Sequence, residues 1–249
     1  MFQAFIRGMR STADLLLPRR CVVCGQRLNV DERHICMDCL EDLPLTHYWG
    51  QEHNPMADRF NGLVEHGLDD KADSGTERYA YAAALFFYDA ESPYSRITQR
   101  LKYNGDIPSG RFFGQMLGRA LASAEHFSDV DMVIPVPLHW SRKWKRGYNQ
   151  AEIIAEEVAR ELAAGLGKGI LMRQRKTLTQ TALSIEEKAR NVHEAFAVTN
   201  ADIPTPRHIL LIDDVFTTGS TLYACLTALR TRFHDGVRIS VATSGVVGS

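Results

Sequence analysis

The stretch His208-Ile-Leu-Leu-Ile-Asp-Asp-Val-Phe-Thr-Thr-Gly-Ser-Thr221 decides the reading of this chain. Its apolar start, residues 208–212, has the character of a buried strand, and the run from Ser220 onward has helical spacing. A helix start offers free backbone N–H groups and the positive end of a dipole, which attract phosphate, and Gly219 lets the backbone approach it closely. The hydroxyls of Thr217, Thr218, Ser220 and Thr221 add donors for phosphate oxygens. Asp213 and Asp214, expected at the carboxyl end of the strand, are placed to accept from a sugar diol. Phosphate and diol side by side describe a ribose 5-phosphate. The competing reading is a simple N-cap, which explains one hydroxyl but not four with two acids before them. No Lys follows Gly219 as a P-loop requires, and no G-x-G-x-x-G turn occurs, so the common nucleotide fingerprints do not apply.

Outward from this stretch, strands and helices alternate. Residues 80–88, 131–136, 170–173, 208–212 and 237–243 read as strands, and residues 93–103, 110–124, 149–164 and 220–233 as helices. That alternation predicts an α/β fold, a mainly parallel twisted sheet flanked by helices, with ligands at the carboxyl ends of the strands. A second cluster, residues 133–150, ends a strand in a Pro-punctuated turn and then places Arg142, Lys143, Lys145 and Arg146 with no acid between Asp131 and Glu152. Gly147 and Asn149 before a helical pattern suggest another phosphate-facing helix start. Trp140, Trp144 and Tyr148 interleaved with cations equally suit single-stranded nucleic acid, and a solvated basic face is the third reading. Residues 171–191 are polar and start basic, fitting either a lid over a polyphosphate or a surface loop with a short helix after Ser184.

Four of five cysteines fall together as Cys21-Val-Val-Cys24 and Cys36-Met-Asp-Cys39, a spacing that can place four thiolates around one structural zinc. A disulfide pair needs an oxidising compartment, and Arg7, Arg10 and Asp14 interrupt the N-terminal apolar pattern that a secretion signal requires. Thioredoxin-like chemistry uses one such pair, not two. With all four positions sulfur, the expected metal is structural, and His34 is expected in solvent. Cys225 reads as a buried apolar residue. An amphipathic helix over residues 2–17 completes a module of residues 1–48. Residues 49–78, polar and without a sustained period, read as an irregular connection, and residues 79–249 form the main domain. His47, His53 and His66 lack ligand spacing and are expected in solvent.

Charge and hydropathy narrow the partners. Lys plus Arg number 29 against 30 Asp plus Glu, which argues against coating a polyanion by bulk charge. The longest apolar run, residues 80–88, is too short to span a bilayer, so no membrane insertion and a cytoplasmic location are expected.

The opening stretch resembles the phosphoribosyl diphosphate (PRPP) signature of the type I phosphoribosyltransferases. An ordered series extends the resemblance over nearly the whole chain: the Cys21/Cys24/Cys36/Cys39 ribbon with Asp42-Leu-Pro44, then Leu101-Lys-Tyr-Asn-Gly105, Pro135-Val-Pro-Leu-His139 and Arg146-Gly-Tyr-Asn-Gln150. It continues through Gln180, Arg190-Asn191 and Ala195-Phe196 to the Leu211–Thr221 segment. This series is similar to the ComF family, phosphoribosyltransferase-like proteins linked to natural competence, including GntX-type members. Many members carry further cysteines where residues 46–78 have none, so a second zinc is not expected.

The resemblance implies a type I phosphoribosyltransferase fold, with Asp213 and Asp214 on the ribose hydroxyls and Thr217, Thr218, Gly219, Ser220 and Thr221 on the 5-phosphate. The turn at residues 135–138 would face the diphosphate, and residues 180–190 would lie in a flexible hood. Lys102, Arg146 and Arg190 would balance phosphate charge, and Mg²⁺ would accompany PRPP. The implied reaction, of the kind found in nucleoside metabolism, displaces diphosphate from the anomeric carbon by a nitrogen acceptor that this sequence does not identify. Glutamine hydrolysis is not expected, since Phe2 follows Met1 and the early cysteines are committed to zinc. Three functions compete: a transferase, a PRPP-binding protein that handles single-stranded DNA through the Arg142 to Arg146 patch beside a competence helicase, and a zinc-ribbon interaction module.

Overall fold

The computed structural model describes residues 18–67, 79–173, 195–199, 203–233 and 236–248. Its centre is a five-stranded, wholly parallel sheet: β1 (Ala82–Tyr88), β7 (Arg238–Val247), β6 (His208–Phe216), β2 (Met132–Pro135) and β3 (Gly165–Leu166), in that spatial order. β4 (Leu171–Arg173) and β5 (Phe196–Val198) form a separate antiparallel pair. Residues 170–173 are therefore a strand as expected, but outside the main sheet. Ahead of the sheet, the short helix α1 (Met37–Glu41) carries Cys39.

Parallel strands must be covered on both faces, which is why β6 opens as an unbroken apolar run. Ile209 and Leu211 belong to one core with α2 (Pro55–Gly67) and α7 (Ser220–Arg230). Leu210 and Ile212 face the other, with α4 (Ile107–Ala122) and α6 (Gln150–Glu161). α4 and α6 pack closely: a Cβ at Gly118 would come 2.9 Å from the Glu161 Cβ. Arg111 clamps the pair through Glu157 at 2.7 Å and Glu156 at 2.8 Å. At the foot of β6, fully buried His208 bonds Asp129 through Nδ1 at 2.6 Å and Ser240 through Nε2 at 2.8 Å, so the histidine of the opening stretch is structural.

Two sequence expectations change here. β6 does not stop at Ile212; pairing with β7 continues through Asp213–Thr243 to Phe216–Val246, so both acids lie within the strand. Residues 55–67 are a helix rather than an irregular connection. Asn54 caps it, its Oδ1 accepting from the Met56 and Ala57 amides at 3.1 and 2.9 Å, and Pro55 occupies the first turn, where no donor is needed. Met56, Ala57, Phe60 and Val64 are buried against the sheet.

The exposed edge of β1 is covered by the segment between the cysteines and α2. Asn61 exchanges bonds with Ala80 at 2.9 and 3.0 Å, Asn54 Nδ2 donates to the Ala82 carbonyl at 2.9 Å, and the Thr46 hydroxyl donates to that of Ala84. The Thr46 amide donates to Leu85 O at 3.2 Å, and the Phe87 amide to Pro44 O at 2.8 Å.

The expected helix over residues 2–17 and the expected lid, with Gln180 and Arg190, lie outside the described residues. No helix among the described residues is long and apolar enough to cross a membrane.

Candidate functional site

At the carboxyl end of the sheet a cavity of about 260 Å³ opens between β6, α6 and the turn after β2. Five of the residues expected at a site line it: Asp213, Asp214, Thr221, Lys102 and Arg146. Arg190 falls outside the described residues. The opposite wall is Val136, Pro137 and Leu138, the turn expected to face a diphosphate.

Charge is organised across this cavity. Lys102 Nζ lies 3.1 Å from Asp214 Oδ2. Burial and the neighbouring Asp214 charge push the Asp213 carboxyl up to about 7, against the opposing effects of the Asp214 amide, which donates to Asp213 Oδ1 at 2.8 Å, and of Lys102. A carboxyl poised there holds its proton in the empty cavity and releases it when a cation or a donor diol arrives.

Lys102 is delivered by an unusual backbone. α3 (Ser95–Gln99) runs into a π-helical turn, Arg100–Asn104, which ends at Gly105 in the left-handed region (φ 69°). The extra residue of a π turn rotates the side chains beyond it, and such turns concentrate at functional sites. α6 opens on the cavity's far side. Asn149 caps it, accepting from the Ala151 amide at 3.2 Å while its Nδ2 donates to Val136 O at 2.9 Å, so one side chain fixes both helix start and turn. The N-terminal N–H groups and dipole of this helix therefore face the cavity.

Beside the cavity, residues 215–222 with Asp213 enclose a recess of about 30 Å³. Gly219 adopts φ 83°, and a Cβ there would meet Phe216 Cζ at 2.8 Å and Leu63 Cδ1 at 3.0 Å, so this position needs glycine. Of the four hydroxyls, Thr218 Oγ1 pairs with Ser220 Oγ at 2.9 Å, and Thr221 faces the larger cavity. The loop is braced from α2: Arg59 donates to Thr217 O at 2.7 Å and stacks over Phe216, 5.5 Å from the ring centre.

Sequence reasoning missed Arg59, Tyr103, Arg173 and Gln150 as residues at or beside the site. Tyr103 and Gln150 stand inside quoted motifs, a usable signal; Arg59 sat in a segment read as irregular. The basic patch also differs from expectation. Residues 140–146 form a short helix, α5 (Trp140–Arg146), capped by buried His139. Lys143 is paired with Glu152 at 2.9 Å, so one of the four cations is already neutralised. Trp140 and Trp144 stand 71% and 88% exposed, which leaves their rings free to stack on a partner.

Far from this cavity, the sulfurs of Cys21, Cys24, Cys36 and Cys39 lie within 4.8 Å of one another. Cys24 and Cys36 are 3.7 Å apart, matching the edge of a tetrahedron with bonds of about 2.3 Å to one zinc. Burial opposes ionisation of Cys21, but the amides of Cys24, Cys36 and Val23 outweigh it and hold the thiol at about 7, below its ordinary value; burial raises Cys36 and Cys39. The residues fit a structural zinc with no coordination site to spare. His34 is not in solvent as expected; it is half-buried against Phe112, with ring centres 5.4 Å apart, and takes no part in the cluster. His47 and His53 are exposed, as expected, whereas the side chain of His66 is outside what is described. Cys225 is fully buried, also as expected. The ribbon is docked rather than tethered: Cys21, Val22 and Val23 join the core of Phe113 and Leu85, and Tyr94 donates to Cys39 O at 3.2 Å.

Together these features define a mainly parallel α/β protein with a zinc-binding ribbon and a charged cavity at its strand ends. A family profile described as a double zinc ribbon domain matches residues 12–49. With five cysteines in the chain, only one four-cysteine set exists to hold metal through sulfur alone. The chain is similar to Competence protein F of Haemophilus influenzae, 27% identical over 219 residues that span 85% of this chain and 90% of that protein. It is also similar to the DNA utilization protein YhgH of Escherichia coli strain K12, 30% identical over 138 residues, 54% of this chain and 60% of that protein. The Salmonella typhimurium protein of that name is likewise 30% identical over 139 residues. The resemblance to the ComF family is thus borne out.

Proposed function

We propose that the chain binds PRPP and transfers its phosphoribosyl group to a nitrogen acceptor, releasing diphosphate, within a role in competence and DNA utilization that its relatives' names support. The observation that carries this is the junction of the Asp213–Asp214 pair with the 217–221 loop on one side of a cavity whose other side holds Lys102, Arg146 and a capped helix start. The acids match the ribose hydroxyls, the loop the 5-phosphate, and the cationic wall the diphosphate.

In the transfer, the lone pair of the acceptor nitrogen forms the bond to the anomeric carbon as the carbon–oxygen bond breaks. The electron pair leaves on diphosphate and the acceptor's proton passes to solvent. Charge builds on the leaving oxygens, and cations fixed beforehand by the π turn and by α5 stabilise it without reorganising. Asp213 and Asp214 orient the ribose and sit near the carbon that becomes positive. Among the described residues no carboxylate cluster forms a protein-only Mg²⁺ site, which fits an ion held by ligand oxygens and water beside the acid pair. Bound so, Mg²⁺ would supply charge neutralisation at the diphosphate.

A second reading rests on exposed Trp140 and Trp144 with Lys145 on α5: a PRPP-binding protein that holds single-stranded DNA on this face with little transferase activity, working beside a competence helicase.

The test is calorimetric titration of zinc-loaded protein with PRPP and Mg²⁺, beside the Asp213→Asn/Asp214→Asn variant. Saturable binding lost in the variant supports the site; no binding by folded parent refutes it. Diphosphate release in a base screen favours the transferase. Salt-sensitive single-strand binding lost on neutralising Arg142, Lys143, Lys145 and Arg146 favours the second reading.

A further inference from the structure

A second cavity, about 380 Å³, opens on the other side of the π turn, lined by Lys102, Tyr103, Gly105, Lys145, Arg146 and Tyr148. Three of these six, Lys102, Tyr103 and Arg146, also line the first cavity, so the two share a wall. None of the roles proposed above uses the second one.

Its chemistry is narrow. The lining contains three cations and two phenols and no acid. Lys102 spends its charge on Asp214, but Lys145 and Arg146 have no carboxylate within ion-pair distance among the described residues. The Arg146 guanidinium lies over the Tyr103 ring, 5.4 Å from its centre, and Tyr103 is 74% exposed. Tyr148 is fixed by its hydroxyl, which donates to Leu101 O. The result is an aromatic plane bordered by unpaired positive charge, held by a π turn whose opposite side carries Lys102 to the first cavity. A planar ring stacks on such a surface, and an attached acidic group answers the cations. The volume falls within the range of small-ligand sites.

We infer that this second cavity binds a planar aromatic anion, the chemistry shared by a nucleoside monophosphate and an aromatic carboxylate, as the acceptor beside the bound sugar phosphate. The inference rests on the PRPP reading for the identity of the neighbour but not for the existence of the site.

The test is calorimetry on the full-length, zinc-loaded chain with uridine 5′-monophosphate and with orotate. Ribose 5-phosphate is present at saturation to occupy the first cavity, and uridine and inorganic phosphate serve as controls. One of the two aromatic anions is expected to bind at least tenfold more tightly than either control, and the stronger of them identifies the source. Tyr103→Ala and Lys145→Glu should each weaken that binding at least tenfold while leaving PRPP affinity within about twofold of the parent, which also certifies their folding. Failure of both anions to saturate the parent, or unchanged affinity in both variants, overturns the inference. If the parent binds an anion lost in the variants yet never binds PRPP, the second site stands and the PRPP reading falls.

Discussion

Replacing Asp213 by Asn should stabilise this protein, and only at neutral to alkaline pH. The Asp213 carboxyl sits at about 7 in the folded chain against an ordinary 3.8, because it is buried beside Asp214. Between those values the folded state holds a proton that the unfolded chain has lost, so stability falls as pH rises, by about 1.4 kcal/mol per unit, and levels off above 7. Roughly three units of difference set a ceiling of about 4 kcal/mol, and sharing of the proton with Asp214 lowers the expected effect to about 2–4 kcal/mol. Asn keeps the Oδ1 that accepts from the Asp214 amide at 2.8 Å, so it imitates the protonated acid. Urea unfolding of zinc-loaded parent and variant should therefore give matching midpoints near pH 4.5 and a more stable variant at pH 8. Every other group titrates alike in both chains, so the difference isolates this carboxyl. A variant equally or less stable than the parent at pH 8, or a gap unchanged between the two pH values, would refute the reasoning.

Three further outcomes are expected. Cys36→Ser should reduce bound zinc from about one per chain to near none and unfold the ribbon, since such sites supply about 10–16 kcal/mol of folding free energy; metal analysis and near-ultraviolet circular dichroism check it. Gly219→Ala should cost about 1–3 kcal/mol from its positive φ and its clash with Phe216, and should weaken ribose 5-phosphate binding, both measurable by thermal melts with and without ligand. Lys102→Met should lower PRPP affinity about tenfold or more, because Asp214 loses its 3.1 Å partner and the cavity a cation, and titration at low and high salt should show the loss shrinking at high salt.

The elements that sequence made legible are those whose pattern carries one dominant signal. β6 announced itself by five apolar residues ahead of two acids, and the ribbon by its cysteine spacing. The strand's last four residues did not, because two acids look like an ending unless β7 is known to keep pairing with them. α2 was hidden by Asn61, Gly62 and Gly67, poor helix formers, although Met56, Ala57, Phe60 and Val64 already marked a buried face. α5 buries no apolar stripe, and at seven residues it depends on its His139 cap and on Lys143–Glu152, neither visible as a periodicity. Asp213, Asp214, Lys102, Arg146 and Thr221 were readable as chemistry one at a time. Their convergence on one cavity depends on the π turn after Gln99, which no local propensity encodes.

The fastening of β1 ties metal status to colloidal behaviour. Pro44, Leu45 and Thr46 follow directly on the knuckle that Cys39 closes, and they occupy the hydrogen-bonding edge of the sheet at residues 84–87. A chain stripped of zinc would surrender that segment and leave the carbonyls and amides of a hydrophobic strand, Ala-Ala-Ala-Leu-Phe-Phe-Tyr, as a template for the same strand of another copy. The ribbon then acts as a zinc-dependent guard against aggregation, and metal starvation would drain this protein from the cell as oligomers before its ligand cavity lost its shape.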